Sequence, residues 1–245
     1  MIGTLRFAAT RSLSRMVRLE HIIDHTVLTS AVPATGAIVL DCGANQGAFA
    51  AWAADRFGAR VYSFEADPLL ADRLPSRAGV ETFALAVAGE DGQMTLRRAP
   101  DRCSSGVFNA EAEPGDTFRV TARSLESFCA EHGIAGVDLL KLDVEGAELD
   151  VLERASPDYL ATVRQITCEF HDFLDVRQVP RIEAVMRRMK RLGFAVIRMS
   201  FWTYGDVLMV NQATHPLGPV ARTQIAIHKY AAGVARMIER RQARA

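Results

Sequence analysis

The spacing of apolar positions divides the chain into alternating helix-like and strand-like runs. Residues 4–29 carry Leu5, Leu13, Met16, Val17, Leu19, Ile22, Ile23 and Val27 at helical spacing and predict an N-terminal helix. Pro33 and Gly36 then punctuate the chain. Ala37 to Asp41 reads as a buried strand, followed by a helix from Phe49 to Phe57 that Gly58 closes. Arg60 to Glu65 predicts a second strand, Pro68 to Arg77 a helix, and Val80 to Val87 a third strand. This β-α-β-α-β alternation with short links marks a parallel sheet covered by helices on both faces.

Further along, Gln93 to Arg97 and Thr117 to Ala122 read as strands flanking a weakly patterned stretch, Ala99 to Asp116, long enough to suggest a functional loop. Ser124 caps a helix running to His132. Four more strands are expected at Val137 to Asp143, Val163 to Phe170, Phe194 to Met199 and Tyr204 to Val210, with helices ending near Arg154 and spanning Val179 to Leu192. The short link Ser200 to Thr203 suits an antiparallel hairpin between the last two strands. A basic helix from Ala221 to Arg244 ends the chain. The expected organisation is a helical extension over residues 1–36, one domain over 37–212 and a C-terminal helix over 213–245.

Composition narrows this picture. With 245 residues, 49% of them hydrophobic, the chain can bury one sizeable core. A formal net charge of zero removes the electrostatic reason to expect nucleic acid or an acidic membrane as partner. No apolar run reaches the roughly 18–20 residues that cross a bilayer. Cys42, Cys103, Cys129 and Cys168 are far apart, which fits free thiols in a cytoplasmic setting. Arg6, Arg11, Arg15 and Arg18 read as the solvated face of the first helix, with a targeting or membrane-surface role as the alternative, and His21 and His25 as exposed residues one turn apart on it, where metal binding would need a third ligand from elsewhere. The two terminal helices are candidates to pair in a homodimer.

Candidate chemistry gathers at Asp41-Cys42-Gly43-Ala44-Asn45-Gln46-Gly47, a glycine turn between strand and helix. Glu65 ends the next strand, where a carboxylate can accept both hydroxyls of a ribose. The turn lacks the G-x-G-x-x-G spacing of dinucleotide sites. Its leading acid suits a cationic group better than a pyrophosphate. A nucleoside with a cationic end points to S-adenosylmethionine. Lys141 and Asp143 lie two apart on a strand and share a face, and a lysine in an apolar strand needs a partner.

The run Leu140-Lys141-Leu142-Asp143-Val144-Glu145-Gly146-Ala147-Glu148 resembles the K-x-D-x-E-G-x-E signature of FkbM-type methyltransferases. The Asp41–Gly47 turn and Glu169 also match that family, over about Ile38 to Phe170; Ala66-Asp67 stand before Pro68, where the family generally has proline directly after the acid. The resemblance implies a class I methyltransferase fold, α/β and Rossmann-like, with a seven-stranded mostly parallel sheet, an antiparallel last strand and helices on both faces. It further implies S-adenosylmethionine-dependent O-methylation of a sugar, glycan or secondary-metabolite hydroxyl. By position, Asp41, Gly43, Ala44, Asn45 and Gly47 would hold the methionine and ribose region, and Glu65, with Ala66 beside it, the ribose hydroxyls. Leu85 and Ala86 would border the adenine, and Asp143 would face the methionine amino group or the methyl. Ser104 and Ser105 would belong to a lid.

Lys141, if burial lowers its pKa, Glu145 and His171 are the candidate bases for the acceptor hydroxyl. The expected site holds no metal; the alternative is a magnesium-like ion on Asp143, Glu145 and Glu169. Two other functional readings stay open: a nicotinamide-dependent oxidoreductase, and a cofactor-binding partner protein without catalysis.

Overall fold

The protein is described from a computed structural model for residues 17–98, 105–106 and 117–242. The chain begins with β1 (Leu19–Ile22) and β2 (His25–Leu28), then β3 (Ile38–Cys42), α1 (Ala48–Phe57), β4 (Arg60–Glu65), α2 (Pro68–Ala71) and β5 (Val80–Ala84). It continues with β6 (Ala86–Val87), β7 (Gly92–Arg98), β8 (Ser105–Gly106), β9 (Thr117–Arg123), α3 (Leu125–Glu131), β10 (Leu139–Leu142), α4 (Glu148–Arg154) and α5 (Pro157–Thr162). The last elements are β11 (Gln165–Cys168), α6 (Val179–Arg191), β12 (Phe194–Arg198), β13 (Val207–Asn211) and α7 (Pro219–Gln242).

Seven strands form the central sheet in the order β12-β13-β11-β10-β3-β4-β5. All run parallel except β13, which is antiparallel to β11 and β12 on either side of it. The antiparallel last strand is as expected, and it lies inside the sheet because β12 takes the edge. Strand alternation sends Leu40, Cys42, Leu140 and Leu142 to one face, where they pack with Phe128, Leu149, Leu160 and Ile182 from α3 to α6. Val39, Val61 and Leu139 point the other way, against Phe49, Ala53 and Phe57 of α1 and Val27 of β2.

Three readings of the sequence are corrected. First, Val17 to Leu28 is not helical: β1 and β2 form a hairpin in which Glu20 faces Val27 and Ile22 faces His25. A helix uses its N–H groups internally. Here the N–H of Thr26 donates to Asp206 (3.0 Å) and that of Leu28 to Gln165 (2.7 Å), so partners elsewhere in the fold outweigh a spacing that suits either structure. The remainder of the expected helix, residues 4–16, lies outside the described residues, as does Ser104 of the expected lid. A homodimer built on two terminal helices therefore loses the 17–28 part of its first helix. Second, Val80 to Val87 breaks at Leu85, and β6 joins a separate four-stranded sheet, β6-β9-β7-β8. Third, the helix at Pro68 stops at Ala71, and α5, capped by Ser156 accepting from the Tyr159 N–H (3.0 Å), was absent from the expected pattern.

Within the expected extension over residues 1–36, β2 packs into the sheet's core through Val27 and Leu28. No helix among the described residues is long and apolar enough to cross a membrane.

Candidate active site at the carboxyl ends of the central strands

Strand register sets four polar residues side by side across the sheet. Ser63 of β4 pairs with Asp41 of β3, Asp41 with Lys141 of β10, and Lys141 with Thr167 of β11. All four are buried, so each needs a partner. Lys141 Nζ donates to the carbonyl of Gly43 (2.6 Å) and lies 3.3 Å from Asp41 Oδ1 and 3.4 Å from Asp143 Oδ2. Ser63 Oγ donates to Asp41 Oδ2 (3.3 Å). Burial alone would depress Lys141, but the Asp41 and Asp143 carboxylates outweigh it and raise the lysine above its ordinary value. Lys141 is therefore a fixed cation, and the condition for its acting as a base is not met.

The glycine turn sits on this row. Gly43 (φ 88°) and Ala44 both donate to the carbonyl of Phe64 (3.0 and 2.9 Å), and Gly47 (φ 75°) precedes the first residue of α1. The Glu65 carboxylate reaches the same turn, accepting from the N–H of Asn45 (2.9 Å) through one oxygen and of Asp67 (3.0 Å) through the other. Burial raises its pKa above the ordinary carboxylate value against those two hydrogen bonds. Asp67, one residue before Pro68, caps α2 by accepting from Leu69 N–H (2.9 Å), so the acid standing ahead of the proline serves the turn itself.

Asp143 directly follows β10 and is the hub of the site. His25 Nε2 lies 3.4 Å from its Oδ2, and Thr167 Oγ1 lies 3.3 Å from the other nitrogen of that wholly buried ring. On the opposite side His171 Nε2 stands 3.7 Å from Asp143 Oδ1 and 3.3 Å from Glu145 Oε2, while its Nδ1 is 3.3 Å from Glu148 Oε1. Glu148 accepts from the N–H of Val144 (2.7 Å) and Gly146 (3.1 Å), which fixes the turn that carries Glu145 at φ 53°. Burial would raise Asp143, but the hydrogen bond from His25 and the charges of Lys141, His25 and His171 hold it well below the carboxylate range. Burial would lower His171, yet Glu148, Glu145 and Asp143 push it up to about 9. Glu169 is raised to about 8 by burial and by the charge of Asp143, and burial raises Glu145 as well.

These shifts give a pH dependence of stability. His171 in the folded protein keeps a proton between its ordinary 6.5 and about 9 that the unfolded chain has released. Its contribution is complete below the lower value and disappears as the pH rises through the upper one; Glu169, raised from 4.5 to about 8, acts with the same sign over its own range. Each such proton steepens the loss by up to about 1.4 kcal/mol per pH unit. Thermal melts in chelator are therefore expected to fall in midpoint from pH 6.5 to 9, with a shallower fall in His171→Leu. A flat profile would remove the acid surround of His171 as its cause.

Of the candidate residues, Asp143, Glu145, Lys141 and His171 converge, and Gly43, Ala44, Asn45, Gly47 and Glu65 form the adjoining turn. Asp41 lies below that turn, wholly buried, and the cation beside it is Lys141 rather than a ligand. Ala66 and Ala86 pack with the small second sheet, and Leu85 against the main core. Sequence reasoning missed His25 and Thr167, whose roles depend on register and on a hairpin read as a helix. Glu148 was legible as the last acid of the K-x-D-x-E-G-x-E run, but its place at His171 Nδ1 was not. His21 lies against Asp206 (3.7 Å), so it shares no site with His25. The cavity of about 600 Å³ lined in part by Arg18, Ser30 and Arg56 shares no residue with this cluster.

The profile of the methyltransferase FkbM domain matches residues 41–196, more than half of the chain. The chain belongs to the FkbM methyltransferase family. Its architecture is accordingly the class I methyltransferase fold, with the FkbM stretch Lys141 to Glu148 supplying four of the converging side chains. Among curated relatives it is 30% identical over 202 residues to AMB antimetabolite synthetase AmbE of Pseudomonas aeruginosa, covering 65% of this chain and 10% of that protein. It is 27% identical over 172 residues to the 31-O-demethyl-FK506 methyltransferase FkbM of Streptomyces tacrolimicus, covering 56% of this chain and 66% of that one. It is 26% identical over 168 residues to the 2-O-methyltransferase NoeI of Sinorhizobium fredii, with 60% and 69% covered. The FkbM-family chain thus spans a tenth of the length of the first relative and just under two thirds of the second.

Proposed function

We propose that the chain is an S-adenosylmethionine-dependent O-methyltransferase acting on a hydroxyl of a sugar, glycan or secondary metabolite. The observation that carries this reading is the position of Asp143, at the carboxyl end of β10, between the glycine turn and the carboxylates Glu145 and Glu169. The names of two relatives, a 2-O-methyltransferase and a 31-O-demethyl-FK506 methyltransferase, support oxygen as the acceptor atom.

The residues present fit the donor. Each oxygen of Glu65 accepts one backbone hydrogen bond and so keeps a lone pair for a ribose hydroxyl. Asn45, Gly47 and Ala44 would line the methionine and ribose region and Leu85 with Ala86 the adenine side, while Asp41 acts through Lys141. When bound, S-adenosylmethionine would supply an electrophilic methyl carbon for the acceptor oxygen and a sulfur able to take up the electron pair of the C–S bond. The protein must orient the hydroxyl in line and take its proton. Lys141 and His171 are held as cations in the metal-free protein, so Glu169, raised by burial to about 8, is the proton acceptor. Asp143 keeps its negative charge beside the donor.

Calorimetry with S-adenosylhomocysteine on protein freed of copurified ligand is expected to give a single binding event. Asp143→Ala should lower methyl transfer to a hydroxyl acceptor by about a hundredfold or more, the scale of a charged group acting at the reacting centre. No binding by the intact protein would overturn the proposal; normal turnover in the variant would remove Asp143 from the mechanism.

A further inference from the structure

The two oxygens of Asp143 have different surroundings. Oδ2 lies 3.4 Å from both Lys141 Nζ and His25 Nε2, so its charge is answered from within the fold. Oδ1 faces His171 Nε2 at 3.7 Å, and that nitrogen is 3.3 Å from Glu145 Oε2. We propose that Asp143, Glu145 and His171 are three ligands of a divalent metal ion. Their ligand atoms lie within 4.8 Å of one another. Neighbouring ligands around a six-coordinate ion stand roughly 3 Å apart, so small side-chain rotations would close the set.

A feature behind the cluster points the same way. His171 is 7% exposed, a buried imidazole aimed at two carboxylates. Glu148, itself fixed by two backbone N–H groups, stands at its Nδ1. A carboxylate in that place keeps a proton on Nδ1, so that a metal can take the place of the proton on Nε2, which is how ligating histidines are oriented. Once the ion displaces the proton that Nε2 shares with Asp143 and Glu145, the imidazole lone pair and two carboxylate oxygens face one another, and one cation satisfies all three.

A second grouping, His25, Asp143 and Glu169, shares the hub. It is the poorer site, because His25 is wholly buried between Asp143 and Thr167, and the Lys141 ammonium stands 3.4 Å from the Asp143 oxygen it would use. The proposed set instead leaves coordination positions for water or for an acceptor hydroxyl, whose oxygen the ion would polarise. With an imidazole among the donors, Mn2+, Fe2+, Co2+ or Zn2+ suits it better than Ca2+. The role in catalysis rests on the methyltransferase reading; the site itself does not.

The test is Mn2+ titration followed by electron paramagnetic resonance on the full chain stripped with chelator, paired with calorimetry using S-adenosylhomocysteine. One Mn2+ per chain is expected, bound at least about tenfold more weakly by Glu145→Gln and His171→Leu, and with unchanged affinity by Glu169→Gln. Glu145 is a part-exposed loop side chain, so its variant tests the site even if His171→Leu folds poorly. No Mn2+ binding at millimolar concentration by protein that binds S-adenosylhomocysteine would overturn the site and spare the methyltransferase reading. Binding that depends on Glu169 and ignores Glu145 would overturn it in favour of the other grouping. Mn2+ bound as expected by protein that ignores S-adenosylhomocysteine would keep the site and remove the methyltransferase reading.

Discussion

Lys141→Met is expected to lower the stability of the fold by about 3–5 kcal/mol, the cost of leaving a buried charge without its partner. Asp41 is 0% exposed, and besides Lys141 its carboxylate has only the hydroxyl of Ser63 at 3.3 Å. The methionine fills the space of the lysine stem, so the loss is electrostatic and not a cavity. The same ammonium also holds the Gly43 carbonyl at 2.6 Å and Asp143 at 3.4 Å, so methyl transfer should fall with stability. A double variant, Asp41→Asn with Lys141→Met, removes both charges and should recover a large part of the lost stability. Urea unfolding of the two single variants and the double gives the coupling between them. Additive losses in that cycle would mean that the two charges do not compensate each other.

Gly43→Ala should cost a comparable amount for a different reason. A Cβ at that position would stand 1.8 Å from the carbonyl oxygen of Asp143, and the backbone has φ 88°. The left-handed conformation costs about 1–3 kcal/mol in a residue other than glycine. Relieving the overlap requires moving β3 from β10, which adds about 1–3 kcal/mol more and displaces Asp143 with it. Gly36→Ala is the internal comparison, since φ is 68° there but no atom lies within 4 Å of the added carbon. Urea midpoints should therefore rank wild type, Gly36→Ala and Gly43→Ala in descending order. Equal losses in the two alanine variants would show that backbone conformation, not contact with Asp143, is what Gly43 supplies.

The contrast between these positions explains what could be read from the sequence. The strands from Ile38 to Glu65 and from Leu139 to Cys168 are short apolar runs between clear punctuation, and their order was legible because each is buried by local helices. Gly43 and Lys141 were conspicuous because each breaks the rule of its neighbourhood. Their partnership was not, since the pairing of Asp41 with Lys141 depends on a register between strands 100 positions apart. The hairpin was misread because Leu19, Ile22, Ile23 and Val27 fit a helical stripe; what decides its structure is Asp206 and Gln165, far along the chain. His25 was thereby assigned to solvent when it is wholly buried. Glu145 and His171 could be named from their motif and strand end, but their separation from Asp143 could not.

The hairpin also bears on how portable this folded unit is. The region shared with the family begins at Asp41, and the central sheet begins at Ile38. A unit cut there would keep every strand of that sheet and still lose the ring beside Asp143, the partner of Gln165 and the groups that satisfy Asp206. Three buried polar side chains, Asp143 apart, would then need new company: Thr167, Gln165 and Asp206. Grafts, fusions and circular permutations of this fold should therefore be joined upstream of Val17, because the smallest transferable module is larger than the family-matched stretch within it.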